Sequence, residues 1–149
     1  DRPGASRPPR YAHPEDAATH LDLARSDYAT RFGRQPRGLW PAEGAVSADA
    51  AEMVGADGFA WLATDAGVLA RSGRWGYRAS EPEVLCQPYR TVSERQAVAV
   101  FFRDTDLSAG VGFRYGQYTD QEAAVHDFLQ AVETNVVDRL DRDDDHVLT

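Results

Sequence analysis

Three carboxylates in this chain each follow a short apolar run. Glu43 comes after Leu39 and Trp40, Asp65 after Trp61, Leu62, Ala63 and Thr64, and Asp104 after Val100, Phe101, Phe102 and Arg103. Apolar runs of this length read as buried strands, and the C-terminal ends of parallel strands lie on one face of a sheet. Carboxylates and aromatic rings gathered on one rim are what cleavage of a glycosidic bond requires. One carboxyl protonates the leaving oxygen while another attacks the anomeric carbon or activates water. Glu43 has the sharpest context. It stands in the stretch Arg37, Gly38, Leu39, Trp40, Pro41, Ala42, Glu43, Gly44, a strand that stops at proline and sets a carboxylate beside an indole able to pack on a sugar face. A loop glutamate facing solvent is the alternative reading of the same residues. For Asp65 and Asp104 the alternative is that each caps the helix after it. Arg103 adjoins Asp104 and offers it an ion pair, which would lower its acidity constant and disfavour a role as proton donor.

These residues are positioned by elements that can be read from the pattern. Proline at His13-Pro14 and the acids Glu15 and Asp16 open a helix, Ala17, Leu21, Ala24, Tyr28 and Phe32 recur at helical spacing, and Gly33 stops it. Residues 37–40 form a short strand, and Ser47 caps a helix over 48–56 with Ala51 and Val54 inward. Residues 59–63 are a continuous apolar run, expected as a strand buried on both faces. A short helical piece ends near Arg71, residues 72–83 form a loop, and strands follow over 84–90 and 97–102. A polar break spans 103–108. A helix from about 120 to 140 turns Ala124, Phe128, Val132 and Val136 to one side. Residues 141–145 are an acidic loop, and 147–149 read as the start of another strand.

Strands alternating with amphipathic helices argue for an α/β fold, a parallel sheet or barrel covered by flanking helices. A complete (β/α) barrel takes about 250 residues, and this chain has 149. The expectation is therefore an extended segment over 1–12, then a partial barrel domain over 13–149, truncated at both ends. The net charge of -8 and the scatter of Arg2, Arg7 and Arg10 among prolines argue against a nucleic-acid partner. No apolar run spans a bilayer and no signal peptide is visible. The compartment stays open, with the cytoplasm favoured. Cys86 is the single cysteine, so an internal disulfide is excluded, and its apolar setting marks it as a buried hydrophobe. The histidines His13, His20, His126 and His146 show no metal-ligand spacing, so no metal site is expected. Trp61 reads as core, while Trp40 and Trp75 suit either core packing or a sugar platform. The glycines near Gly110 lack the pattern of a nucleotide site.

Three motifs carry a family resemblance. The stretch from Gly38 through Trp40, Pro41 and Glu43 to Ser47 resembles the nucleophile motif of glycoside hydrolase family 57, the α-amylase and amylopullulanase-like retaining enzymes. The stretches from Trp61 through Asp65 to Arg71, and from Phe101 through Asp104 and Ser108 to Tyr115, resemble amylopullulanase-like members. The resemblance runs from about residue 12 onward. It implies part of a (β/α)7 barrel, Glu43 as catalytic nucleophile, and α-glucans or maltooligosaccharides as substrates, cleaved or transferred with retention. It implies no metal or organic cofactor. Trp40, Asp65, Arg103 and Asp104 are then expected to line the cleft or bind sugar hydroxyls. Two family features are absent: the histidine motif of the first strand, and the later Asp-Gly-Glu-Asn-like motif that holds the acid/base aspartate. The remainder of the catalytic domain is thus an expected partner. Two further readings stand beside this one: a non-catalytic carbohydrate-binding or regulatory remnant of the barrel, and an unrelated α/β interaction domain.

Overall fold

The computed structural model describes residues 12–73, 76–92, 96–141 and 145–149. The proposed extended segment (all but its last residue), Trp75 and most of the acidic loop lie outside the described residues. The chain divides into two compact units, Asp1–Pro36 and Arg37–Thr149. The first holds α1 (Pro14–Phe32). Pro14 stands at its first turn, Glu15 and Asp16 face the positive end of its dipole, and Gly33 ends it in the left-handed region with its N–H on the Ala29 carbonyl.

In the second unit the elements run β1 (Gly38–Leu39), α2 (Ala48–Ala56), β2 (Trp61–Asp65), α3 (Ala66–Arg71), α4 (Pro82–Leu85), β3 (Tyr89–Arg90), β4 (Ala99–Arg103), α5 (Thr105–Ala109) and α6 (Gln121–Asn135), with single tight turns between several of them. The sheet order is β1-β2-β4-β3. β1 pairs parallel with β2, with Gly38 opposite Trp61. β2 pairs parallel with β4 from Trp61–Ala99 to Asp65–Arg103. β3 runs antiparallel to β4. The fold is thus α/β with a four-stranded, mostly parallel sheet.

Side chains alternate across the strands. Leu62 and Thr64 of β2 and Val100 and Phe102 of β4 are buried, together with Ala51 and Val54 of α2 and Leu69 of α3. The apolar run of β2 is therefore not covered on both sides as expected. Trp61 keeps 38% of its surface exposed, and Ala63 and Asp65 on the same side of β2 are only half-buried. Trp61 is an edge-on neighbour of Phe101 at 6.0 Å between ring centroids. Its indole also lies flat against the β1 backbone, where a Cβ on Gly38 would come within 2.0 Å of it. Only glycine allows that approach.

Four further expectations are corrected. Residues 84–90 are not one strand, because Pro82 starts a helical turn that buries Val84, Leu85 and Cys86 on successive sides. Only Tyr89 and Arg90 pair with the sheet. The polar break 103–108 is no loop: Arg103 ends β4, Asp104 caps α5, and the helix widens over Gly110–Arg114 before α6. α6 ends at Asn135, short of 140, where Val136 leaves helical geometry and is buried. The expected strand at 147–149 is a pair of isolated contacts. Val147 N–H donates to Cys86 O at 2.8 Å, and Asp104 N–H donates to Thr149 O at 3.0 Å.

Candidate active site

The rim formed by the C-terminal ends of β1, β2 and β4 carries Trp40, Glu43, Asp65, Arg103 and Asp104. Glu43 is presented by an elbow. Pro41 ends the β1 ladder, and Ala42–Gly44 make one tight turn closed by Gly44 N–H to Pro41 O at 2.9 Å and Ala45 N–H to Ala42 O at 3.0 Å. Glu43 lies at φ 55° and ψ 20°, the only non-glycine among the described residues with positive φ. That left-handed geometry is disfavoured for a residue with a Cβ and persists only where neighbours enforce it. Gly44 follows at φ 63° and is buried. The Trp40 ring lies over it, so that a Cβ there would meet the indole at 3.3 Å. The Glu43 side chain is exposed and makes no ion pair or hydrogen bond with any described residue.

Asp65 is saturated. Its Oδ1 accepts Gly67 N–H at 2.8 Å, capping α3. Its Oδ2 accepts Arg103 Nε–H and the Thr105 hydroxyl, each at 3.1 Å. Partial burial pushes its pKa up. The hydrogen bonds from Gly67, Arg103 and Thr105 and the Arg103 charge outweigh that, and the net shift is downward. The Arg103 guanidinium also stands over the Trp40 ring, 5.1 Å from its centroid. One cation therefore links the ends of all three parallel strands.

The expected ion pair between Arg103 and Asp104 is not formed. Asp65 sits opposite Arg103 in the β2–β4 register, so the guanidinium meets Asp65 instead. Asp104 turns its Oδ1 to Leu107 N–H at 2.8 Å and caps α5. Both aspartates are thus helix caps, and Asp65 is a cation's partner as well. Asp104 also lines an open groove of about 960 Å³ beside α5 and α6, among Arg114, Asp127 and Arg139. A second groove of about 810 Å³ lies between α2, α3 and β3, and neither is lined by Trp40, Glu43, Asp65 or Arg103.

Thr64 and Thr105 were not singled out by sequence reasoning. Thr64 stands where an apolar strand is about to turn, and its one signal is a hydroxyl inside a buried run. Among the described residues no group of three or more His, Cys, Asp or Glu is placed to hold a metal ion. No described helix is long and apolar enough to cross a membrane.

The sequence model of glycosyl hydrolase family 57 matches residues 8–144. The chain belongs to that family. A solved structure of similar fold is 4-alpha-glucanotransferase from Thermococcus litoralis, with a TM-score of 0.56 and 19% identity over 82% of this chain and 22% of that one. The family 57 chain described here thus spans about a fifth of that enzyme's length. No curated protein sequence matches it.

Proposed function

We propose that this family 57 chain is the nucleophile-bearing part of a retaining α-glucan hydrolase or glucanotransferase, its sheet one section of a (β/α)7 barrel. The observation that carries the reading is the Glu43 elbow: an exposed carboxylate with no partner among the described residues, held in left-handed geometry at a shared strand-end rim. A Glu43 oxygen bonds to the anomeric carbon as the glycosidic C–O bond breaks, and the departing oxygen takes a proton from a general acid. Water or a sugar hydroxyl then attacks the same carbon, returns a proton to that group, and frees Glu43.

The acid comes from outside these residues. Asp65 accepts three hydrogen bonds and is held ionised, so it has no proton to give near neutrality. Asp104 serves to cap α5 and shape the rim. Retention needs the second carboxyl about 5–5.5 Å from Glu43. Thr149 meets the end of β4 through Asp104 N–H, so the chain arrives at this rim. Trp40 stands at this rim as a surface for a sugar face, with Arg103 over its ring.

The test is a mechanism-based fluorinated glucosyl fluoride applied to the full-length protein, with the labelled peptide read by mass spectrometry. A glucosyl ester on Glu43 is expected, and Glu43→Gln should lower turnover by about a thousandfold or more. Binding of maltooligosaccharide without labelling would identify a non-catalytic remnant of the barrel.

A further inference from the structure

Thr64 is the one polar residue among the described residues that is buried, at 0% exposure. It lies on the helix-covered face of β2 with Leu62, Val100 and Phe102 as buried neighbours. A valine of the same shape would fill that space, so packing alone does not call for a hydroxyl. An unpartnered hydroxyl there would be unfavourable. Its partner is the main-chain carbonyl of Gly44, twenty residues earlier in the chain. Gly44 directly follows Glu43 and shares its positive φ.

The two backbone bonds of the 42–44 turn set its shape, but both stay within the segment from Pro41 to Ala45. The Thr64 bond instead ties the turn to β2. β2 also carries Asp65, one residue on, which holds Arg103 over Trp40. We propose that Thr64 is a positioning residue for Glu43: its buried hydroxyl locks the elbow to the sheet and fixes the carboxylate relative to the Trp40–Arg103 wall. It touches no substrate. This inference rests on Glu43 being the nucleophile and adds the device that aims it.

The experiment compares Thr64→Val and Thr64→Ser with the parent in the full-length protein, using the fluorinated glucosyl fluoride. Three quantities are read: the maximal rate of ester formation, the half-saturating concentration, and the final number of esters per chain. Thr64→Val should slow ester formation about tenfold, as small misplacements of a reacting group do. Half-saturation should stay within about twofold and labelling should still reach completion, since binding and fold are kept. Thr64→Ser, which keeps the donor, should restore the rate to within about threefold of the parent. A parental rate in Thr64→Val would overturn the proposal. So would incomplete labelling at a parental rate, because that is the mark of a residue needed only for folding. Glu43→Gln run in parallel separates the two readings. If it still forms ester, the nucleophile assignment falls and this inference falls with it. If it is dead while Thr64→Val is parental, this inference falls alone.

Discussion

The guanidinium of Arg103 stands over the indole of Trp40, 5.1 Å from the ring centroid. Its Nε–H is at the same time held by Asp65 at 3.1 Å. Arg103 has a 40% exposed side chain and Asp65 a 28% exposed one, so the ion pair adds little to stability. A cation over an exposed ring contributes about 0.5–1 kcal/mol. The consequence is geometric. Trp40 is held by the guanidinium, and one face of its ring is occupied by a cation. Because Asp65 and Arg103 are opposite each other in the register, the orientation of Trp40 at the end of β1 is set by the pairing of β2 with β4.

Arg103→Lys tests that arrangement. Lysine keeps the charge but is a point donor without a planar fork, and it does not stack on Trp40 while holding Asp65. We expect kcat/KM for maltooligosaccharide in the full-length protein to fall roughly tenfold, with the thermal midpoint moved by only about 2 °C. Steady-state kinetics and a thermal melt check both. A parental kcat/KM would mean that the Arg103 fork has no bearing on the cleft.

Asp65→Asn should show a definite pH dependence. The Asp65 carboxyl titrates below its ordinary value in the folded state. Its stabilising contribution is therefore fully present above the unfolded value of 3.8 and is lost as pH falls through the lower folded value. Asparagine still caps α3 but removes the charge facing Arg103. The gap in thermal midpoint between parent and variant should be constant from about pH 7 to 5 and should close below about pH 4. A gap that widened on acidification would show that Asp65 is not held ionised.

The sequence disclosed most where one local rule governs. Ser47 capping α2, Pro14 opening α1 and Gly33 closing it are short-range chemistry, and each stands where it was read. The alignment of Glu43, Asp65 and Asp104 on one rim was legible because parallel strands put their C-terminal ends together. The partner of Arg103 was not legible. Sequence adjacency pointed to Asp104, while the side-chain partner depends on strand register, which pattern alone leaves open. The apolar run at 84–86 misled for a related reason. Continuous hydrophobicity suits a buried strand or a buried helical turn, and Pro82 decided for the turn. The bond made by Thr64 was not legible either, because its acceptor is a carbonyl twenty residues away.

Glu43→Gly separates what the backbone wants from what the chemistry needs. Left-handed geometry costs a residue with a Cβ about 1–2 kcal/mol, and glycine escapes that cost. Glycine also loses about 0.5–1 kcal/mol more than other residues in chain entropy on folding. With Glu43 at φ 55° and its side chain making no described contact that anchors it, the first effect exceeds the second. Glu43→Gly should therefore raise unfolding stability by roughly 0.5 kcal/mol in urea titration while abolishing turnover. Glu43→Gln, which keeps the Cβ and the strain, should abolish turnover with no gain in stability. A Glu43→Gly protein less stable than the parent by more than about 1 kcal/mol would mean that the glutamate is kept for packing, and the barrel remnant would then be the better account of this chain.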